Sequence, residues 1–493
     1  MADGHGKQTS TNVNENSRQL LDDLYRNLDN YDQDKISQIL TEFRILTREK
    51  TLQNDILDER CIKLLVDCSR NNLIESQKCI SNLILNYAHI RESLVEPYVD
   101  CVDSRLKVEL ANDYNHNESN NSKHSESCET LYYDLRIIFL LSALCSTSRA
   151  SIRDRLIEPI LDLTQRESEN VNQNNFLLII ESLKTLFNLT LDKCVNTESA
   201  AKVIKRLFSV VGSCEDISIE HETGTKLDPT DQLLVNLIHL LTNMPEEVYV
   251  QLSDHDVDKI LIHLDQQLKT LSKSSLRDTI LPVLNACANI CRYKEDVRKR
   301  WFEEIIGSTK DFEKRPEEYD TMRGRLVRLM TSVDVHIKDI AAEFLHALCG
   351  GDAEKFITYT GFGNSAAFLS SRGLLSQSAR NDKETSLKEE DKIHEIKESD
   401  SDRHYRELRG KLDPITGKIE QPKKNPMEGM SEEEKEWHAH ELASAITKLS
   451  KLGVMKPMMM NSEGETSDIR PETSPLEQPG KNNSSSEIDQ NDT

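Results

Sequence analysis

The stretch FLLIIESLKTLFNLTLD, Phe176 to Asp192, decides the fold. Its apolar residues Phe176, Ile179, Ile180, Leu183, Leu186 and Phe187 recur three and four apart, the spacing that gathers side chains on one face of an α-helix. A second stripe, Met330, Val333, Ile337, Ile340, Ala341, Phe344 and Leu348, keeps the same period. Helical spacing persists from Leu20 to Leu348, and no alternating strand pattern competes with it. The chain reads as all-α.

Within the opening stretch lies Leu186-Phe187-Asn188-Leu189, an apolar-any-Asn-apolar pattern that returns around Asn82, Asn243 and Asn289. Ala143 and Ala347 hold the Asn place in two further helices. The positions 82, 143, 188, 243, 289 and 347 stand 45 to 61 residues apart. A bare armadillo or HEAT unit takes roughly 40 to 47 residues, so polar insertions at 112–130, 165–175, 212–229 and 307–319 are expected to supply the excess. The fold class predicted is an armadillo/HEAT-like α-solenoid with long inter-helix loops. In such an array the Asn of each last helix faces the concave groove, where its amide donates to and accepts from a bound segment's backbone. Asn82, Asn188, Asn243 and Asn289 are therefore candidate partner-binding residues. The alternative for each is a mid-helix Asn that caps or bends its own helix.

The acidic balance excludes several partners. Eighty-five Asp and Glu against 62 Lys and Arg leave a net charge of −23, which repels nucleic acid and an anionic membrane surface alike. Eleven cysteines without a CxxC pair read as reduced, buried thiols. With no signal-like start, alanine at position 2 and no apolar run of the roughly 18 residues a span needs, a soluble cytoplasmic monomer is expected.

No constellation for covalent chemistry is present, and no cofactor is expected. Gly307-Ser308-Thr309-Lys310 lacks the leading glycine of a phosphate-binding loop. His438 and His440 point to different helix faces, and Cys287 and Cys291 have no second pair, so no metal site is assigned. Arg44 and Arg48, one turn apart, could clamp a partner's carboxylate, or else form a solvated face paired with Glu42 and Glu49. Phe139 and Phe187 are candidate apolar anchors in the groove, though aromatics in a helical stripe more often belong to the core.

Expected organisation is a disordered start (1–17), the solenoid (18–376), an acidic linker (377–430), an amphipathic helix (431–453) and a disordered tail (454–493). Ser431 with Glu434 three residues on is a capping box, followed by an apolar face of Trp437, Leu442, Ala445, Ile446 and Leu449 and the stop Gly453. Such a helix must dock on something.

The junction carries a resemblance. TYTGFGNSAAFLSSRGLL (Thr358 to Leu375) and LDPITGKIEQPKKNPMEGMSEEEKEW (Leu412 to Trp437), in that order, resemble the synembryn family, also called resistance to inhibitors of cholinesterase. RLVRLMTSVDVHIKDIAAEFLHALC (Arg325 to Cys349) and, more faintly, SLKTLFNLTLD and LLTNMP extend it upstream. The resemblance implies a guanine-nucleotide exchange factor and folding chaperone for monomeric Gα subunits, gripping the Gα C-terminal helix in the groove. It favours the functional reading of Arg44 and Arg48 and the recruitment of the protein to the cell cortex through Gα. It also implies phosphorylation at Ser399 and Ser401, whose following aspartates suit an acid-directed kinase. The phosphate is expected to dock on Arg298, Lys299 and Arg300 and so position the Trp437 helix.

The rival reading is a non-catalytic armadillo adaptor. Nuclear import receptors pair groove Asn with Trp one turn earlier, but here those places hold Lys78, Lys184, His239 and Asn285, and the only tryptophans are Trp301 and Trp437.

Overall fold

A computed structural model describes residues 4–29, 33–48, 50, 52–112, 118–214, 217, 219–220, 226–270, 276–307, 312–374, 411–413, 415–419, 427, 429–452, 458–460 and 466–468. The chain divides into two compact units, Met1–Ile419 and Glu420–Thr493. The first contains α1 (Gly4–Asp29), α2 (Gln33–Arg48), α3 (Glu59–Arg70), α4 (Ile74–Asn86), α5 (Arg91–Ala111), α6 (Glu118–Leu144), α7 (Arg149–Glu167), α8 (Phe176–Leu189) and α9 (Thr197–Val210). It continues with α10 (Pro229–Thr242), α11 (Glu246–Gln251), α12 (Asp254–Thr270), α13 (Leu276–Tyr293), α14 (Glu295–Phe302), α15 (Met322–Leu329), α16 (Val335–Leu348), α17 (Ala353–Thr360) and α18 (Phe362–Ser371). The second unit holds α19 (Glu432–Lys451).

Local sequence explains where many helices begin. Asp58, Asn196, Asp228, Asp334 and Asp352 each turn a side-chain oxygen onto otherwise orphaned N–H groups of the first turn. Pro229 opens α10 at a place where the missing N–H costs nothing.

The helices stack in two layers. One row runs α2, α4, α6, α8, α10, α13, α16, each packed on the next; the other begins α3, α5, α7, α9 and continues into α11 and α12. Each layer covers the apolar face of the other, which is how an α-solenoid buries a continuous core from short units. In α8 the stripe read from sequence is the core itself: Phe176, Ile179, Ile180, Leu183 and Leu186 are buried, while Phe187 lies at the edge, half-buried. All cysteines except Cys194 are buried.

Several segments differ from expectation. Helix α1 starts at Gly4, inside the stretch expected to be disordered; Asn14 within it is buried and its Oδ1 accepts from the backbone of Gln53 at 3.1 Å. The insertion expected at 112–130 is largely the first half of α6. In the tail, Met458–Met460 pairs antiparallel with Thr466–Asp468, a short ladder where disorder was expected. The rest of the tail after 468, and the linker from 375 to 410 with Ser399 and Ser401, lie outside the described residues.

Candidate functional site

Row α2 to α16 carries most of the candidate residues, and each of its asparagines donates a hydrogen bond within the solenoid. Asn188 Nδ2 donates to Phe139 O at 3.1 Å and to Ser142 Oγ at 3.2 Å. Asn243 Nδ2 donates to Phe187 O at 2.8 Å, and Asn82 Nδ2 to Thr47 Oγ1 at 3.1 Å. Asn289 Nδ2 donates to Tyr249 Oη at 3.1 Å, and that hydroxyl donates on to Leu241 O at 2.6 Å. Asn82, Asn188 and Asn243 reach back to the preceding helix of the row, and Asn289 reaches α10 through the Tyr249 hydroxyl of α11.

The physical reason lies at helix ends. The last four carbonyls of a helix lack intrahelical partners, and Phe187 O and Leu241 O are among them. Asn86 does the same for α2, donating to Thr47 O at 2.8 Å and Arg48 O at 3.2 Å. The Asn register thus joins successive units of the row.

Arg44 and Arg48 are also not equivalent. Arg44 Nε lies 2.9 Å from Glu75 Oε2, with its side chain only 24% exposed; the carboxylate comes from α4, not from the Glu42 or Glu49 considered in sequence. Lys78 Nζ meets the other oxygen of Glu75 at 2.8 Å and sits 5.2 Å from the Tyr133 ring centre. Burial opposes the charge on Lys78, but the hydrogen bond to Glu75 and the neighbouring Tyr133 outweigh it and raise its pKa. Arg48 remains exposed at the end of α2.

Phe139 and Phe187 are half-buried on α6 and α8. The Phe187 ring stands 6.2 Å from that of His239, and burial lowers the His239 pKa below its ordinary value, so the pair is an uncharged aromatic step at neutral pH. Ile45, Leu85 and Leu177 add exposed apolar surface on α2, α4 and α8.

The Arg298, Lys299 and Arg300 triplet is not a vacant basic patch. Arg298 and Lys299 lie 3.6 and 2.9 Å from Glu295, and Arg300 pairs with Asp254 at 3.2 Å and Asp258 at 2.8 Å. A phosphate docking here would compete with these carboxylates for the three side chains.

The structure brings together the two junction motifs instead. Gly361 and Gly417 both have positive φ, 80° and 68°, a conformation open to glycine at no steric cost. A Cβ on Gly417 would lie 3.0 Å from Pro316 Cγ and 3.3 Å from Gly361 Cα, and one on Gly361 would lie 3.3 Å from Thr416. Gly363 N donates to Ile415 O at 3.1 Å, Ile419 N to Phe312 O at 2.9 Å. Asp413 folds the turn by accepting from Ile415 N at 2.9 Å and Thr416 Oγ1 at 2.7 Å. YTGFGN and DPITGK are one packed element closing the end of the solenoid.

In the second unit, Ser431 and Glu434 form the reciprocal cap of α19. Trp437 and Leu449 are exposed and Ile446 is half-exposed.

Sequence reasoning missed a buried polar cluster in the first units. Asp134, fully buried, accepts from Gln77 Nε2 at 2.6 Å and Tyr98 Oη at 2.7 Å and pairs with Arg105. Burial first, then the Asp134 charge, push the Tyr98 pKa well up. No local pattern announces it, since its members come from α4, α5 and α6.

Fold and site together define a braced α-solenoid: a stapled helix row with an apolar and partly cationic margin, closed at one end by a glycine-packed strap. No helix among the described residues is long and apolar enough to cross a membrane. The family described as guanine nucleotide exchange factor synembryn matches residues 39–465. Chaperone Ric-8A of Xenopus tropicalis is 30% identical over 428 residues, 79% of this chain and 74% of the relative. Chaperone Ric-8A of Bos taurus is 29% identical over 472 residues, 87% of this chain and 84% of the relative, and that of Mus musculus 30% identical over 427 residues, 81% and 75%. The chain belongs to the synembryn family.

Proposed function

We propose that this protein is a guanine-nucleotide exchange factor and folding chaperone for α subunits of heterotrimeric G proteins. The observation that carries the reading is the family match across residues 39–465, with relatives named as chaperones over most of their length. The stapled row supports it physically. A rigid surface with exposed Ile45, Leu85 and Leu177 and half-buried Phe139 and Phe187 suits the apolar face of a partner helix, with Arg48 left to meet a carboxylate.

Capture of the Gα C-terminal helix draws it from the GTPase core, and preference for the open, nucleotide-free form shifts the population toward it. GTP then closes the domain and releases the factor. The chain acts on the partner's nucleotide and does no covalent chemistry itself. Further parts of this reading are a monomeric cytoplasmic protein recruited to the cortex by Gα, and an acid-directed kinase acting on Ser399 and Ser401. Docking of Trp437, Ile446 and Leu449 on the complex completes it.

The test is release of fluorescent GDP from purified Gα subunits of several classes, together with the yield of folded Gα in its presence. Acceleration for at least one class with a raised folding yield is expected. No change in either quantity for any class leaves only the adaptor reading standing.

A further inference from the structure

Away from the exposed margin of the row, α6 and α7 bring three metal-ligating side chains together. His124, Cys128 and Glu167 each offer one ligand atom, and these atoms all lie within 4.8 Å of one another. His124 and Cys128 are one helical turn apart on α6 and so share a face. Glu167 ends α7, with Oε2 at 3.2 Å from His124 Nε2, while Cys128 Sγ stands 3.7 Å from the imidazole nitrogens. Ligands bonded at about 2.0 to 2.3 Å to one tetrahedral ion stand roughly 3.3 to 3.8 Å apart. Small side-chain adjustments suffice to seat an ion.

The surroundings hold the carboxylate in a fixed pose. Arg166 donates to Glu167 Oε1 at 2.9 and 3.1 Å, and Asn175 Nδ2 donates to Oε2 at 3.0 Å. Arg166 is itself braced by Glu109, at 2.7 Å to the carbonyl and 2.8 Å to the carboxylate, and Ser127 Oγ donates to Glu109 at 2.6 Å. Such outer partners orient ligands at metal centres. Charge also balances: Glu109, Glu167 and a Cys128 thiolate carry three negative charges, and Arg166 with a divalent ion three positive. Cys128 and Glu167 are buried, while the His124 side chain is 22% exposed and leaves the site open to solvent on its side.

We propose that His124, Cys128 and Glu167 bind a zinc-class divalent cation through one nitrogen, one sulfur and one oxygen, leaving a fourth position for water. Thiolate with imidazole selects this class over magnesium or calcium. The ion clips the first half of α6 to the end of α7, and so steadies the helix whose second half carries Phe139 and the acceptors of the Asn188 staple. The three ligands are not revealed by CxxC-type spacing; HSESC, His124 to Cys128, is the one local signal.

The full chain, stripped with a chelator, is titrated with cobalt(II) chloride and followed by visible d–d and near-ultraviolet thiolate-to-cobalt absorption, then back-titrated with zinc. One cobalt per chain with a thiolate band is expected, lost in Cys128→Ser, at least tenfold weaker in His124→Gln and unchanged in Cys194→Ser, which removes the exposed thiol. Zinc raises the melting temperature of the native chain and not that of Cys128→Ser. Absence of a thiolate band in the native chain at millimolar cobalt overturns the proposal by itself, whatever the variants do. So does a band of equal strength in a Cys128→Ser chain that circular dichroism shows to be folded.

Discussion

Asn188→Ala separates a staple from a partner contact. The residue is 7% exposed and its Nδ2 donates to Phe139 O and Ser142 Oγ. A typical hydrogen bond contributes about 0.5 to 1.5 kcal/mol net, so losing two costs roughly 1 to 3 kcal/mol. The acceptors are not orphaned outright, because Ser142 Oγ also donates to Phe139 O at 3.0 Å, and this keeps the figure from rising further. Asn188→Asp is expected to cost more, since its carboxylate faces the Phe139 carbonyl oxygen in place of a donor and is buried without a charge partner. In a quasi-one-dimensional array such a loss is felt mainly by adjoining units. Hydrogen exchange resolved by peptide is therefore the assay: amides in α6 and α8 should exchange about 5- to 150-fold faster, while those in α16 change little. Unaltered exchange in α6 and α8, with Gα binding weakened more than tenfold, would show that Asn188 faces the partner and that the staple reading is wrong.

Arg44→Glu should destabilise the fold by roughly 1 to 3 kcal/mol, because it places a carboxylate against the half-buried Glu75, whereas exposed Arg48→Glu should stay within about 0.5 kcal/mol of the native chain and instead weaken Gα binding. Thermal melts and binding isotherms of the two single variants check this, and equal melts for both would discard the Glu75 pairing as a stabilising contact. Gly361→Ala or Gly417→Ala forces a Cβ into a left-handed backbone and into Thr416 or Pro316, at a cost of about 1 to 2 kcal/mol. Trypsin should then cut at Lys411 or Lys418 some 5 to 30 times faster, and cleavage at the native rate would mean that the strap is not held by these glycines.

The sequence by itself determined what depends on near neighbours in the chain. Apolar spacing of three and four fixed the helices, because a helix turns once in 3.6 residues whatever surrounds it. The Ser431 cap with Glu434 and the caps of α9 and α16 follow from residues within one turn. The recurrence of an apolar-any-Asn-apolar pattern announced repeating units, and YTGFGN with DPITGK announced the family. What those residues touch was another matter. Asn188 and Asn243 lie in helices whose periodicity is plain, yet the carbonyls they bind, Phe139 O and Phe187 O, belong to the preceding unit and become neighbours only when the helices stack. Arg44 had Glu42 and Glu49 beside it in the chain and took Glu75 from another helix. Gly361 meets Gly417 across a stretch of chain with no pattern of its own. Asp134 collects Gln77, Tyr98 and Arg105 from two other helices, and Glu167 reaches His124 and Cys128 from the next helix along. Periodicity says which face of a helix is buried; the azimuth and height at which two helices pack say which polar groups meet, and those are set by the shapes of side chains distant in sequence.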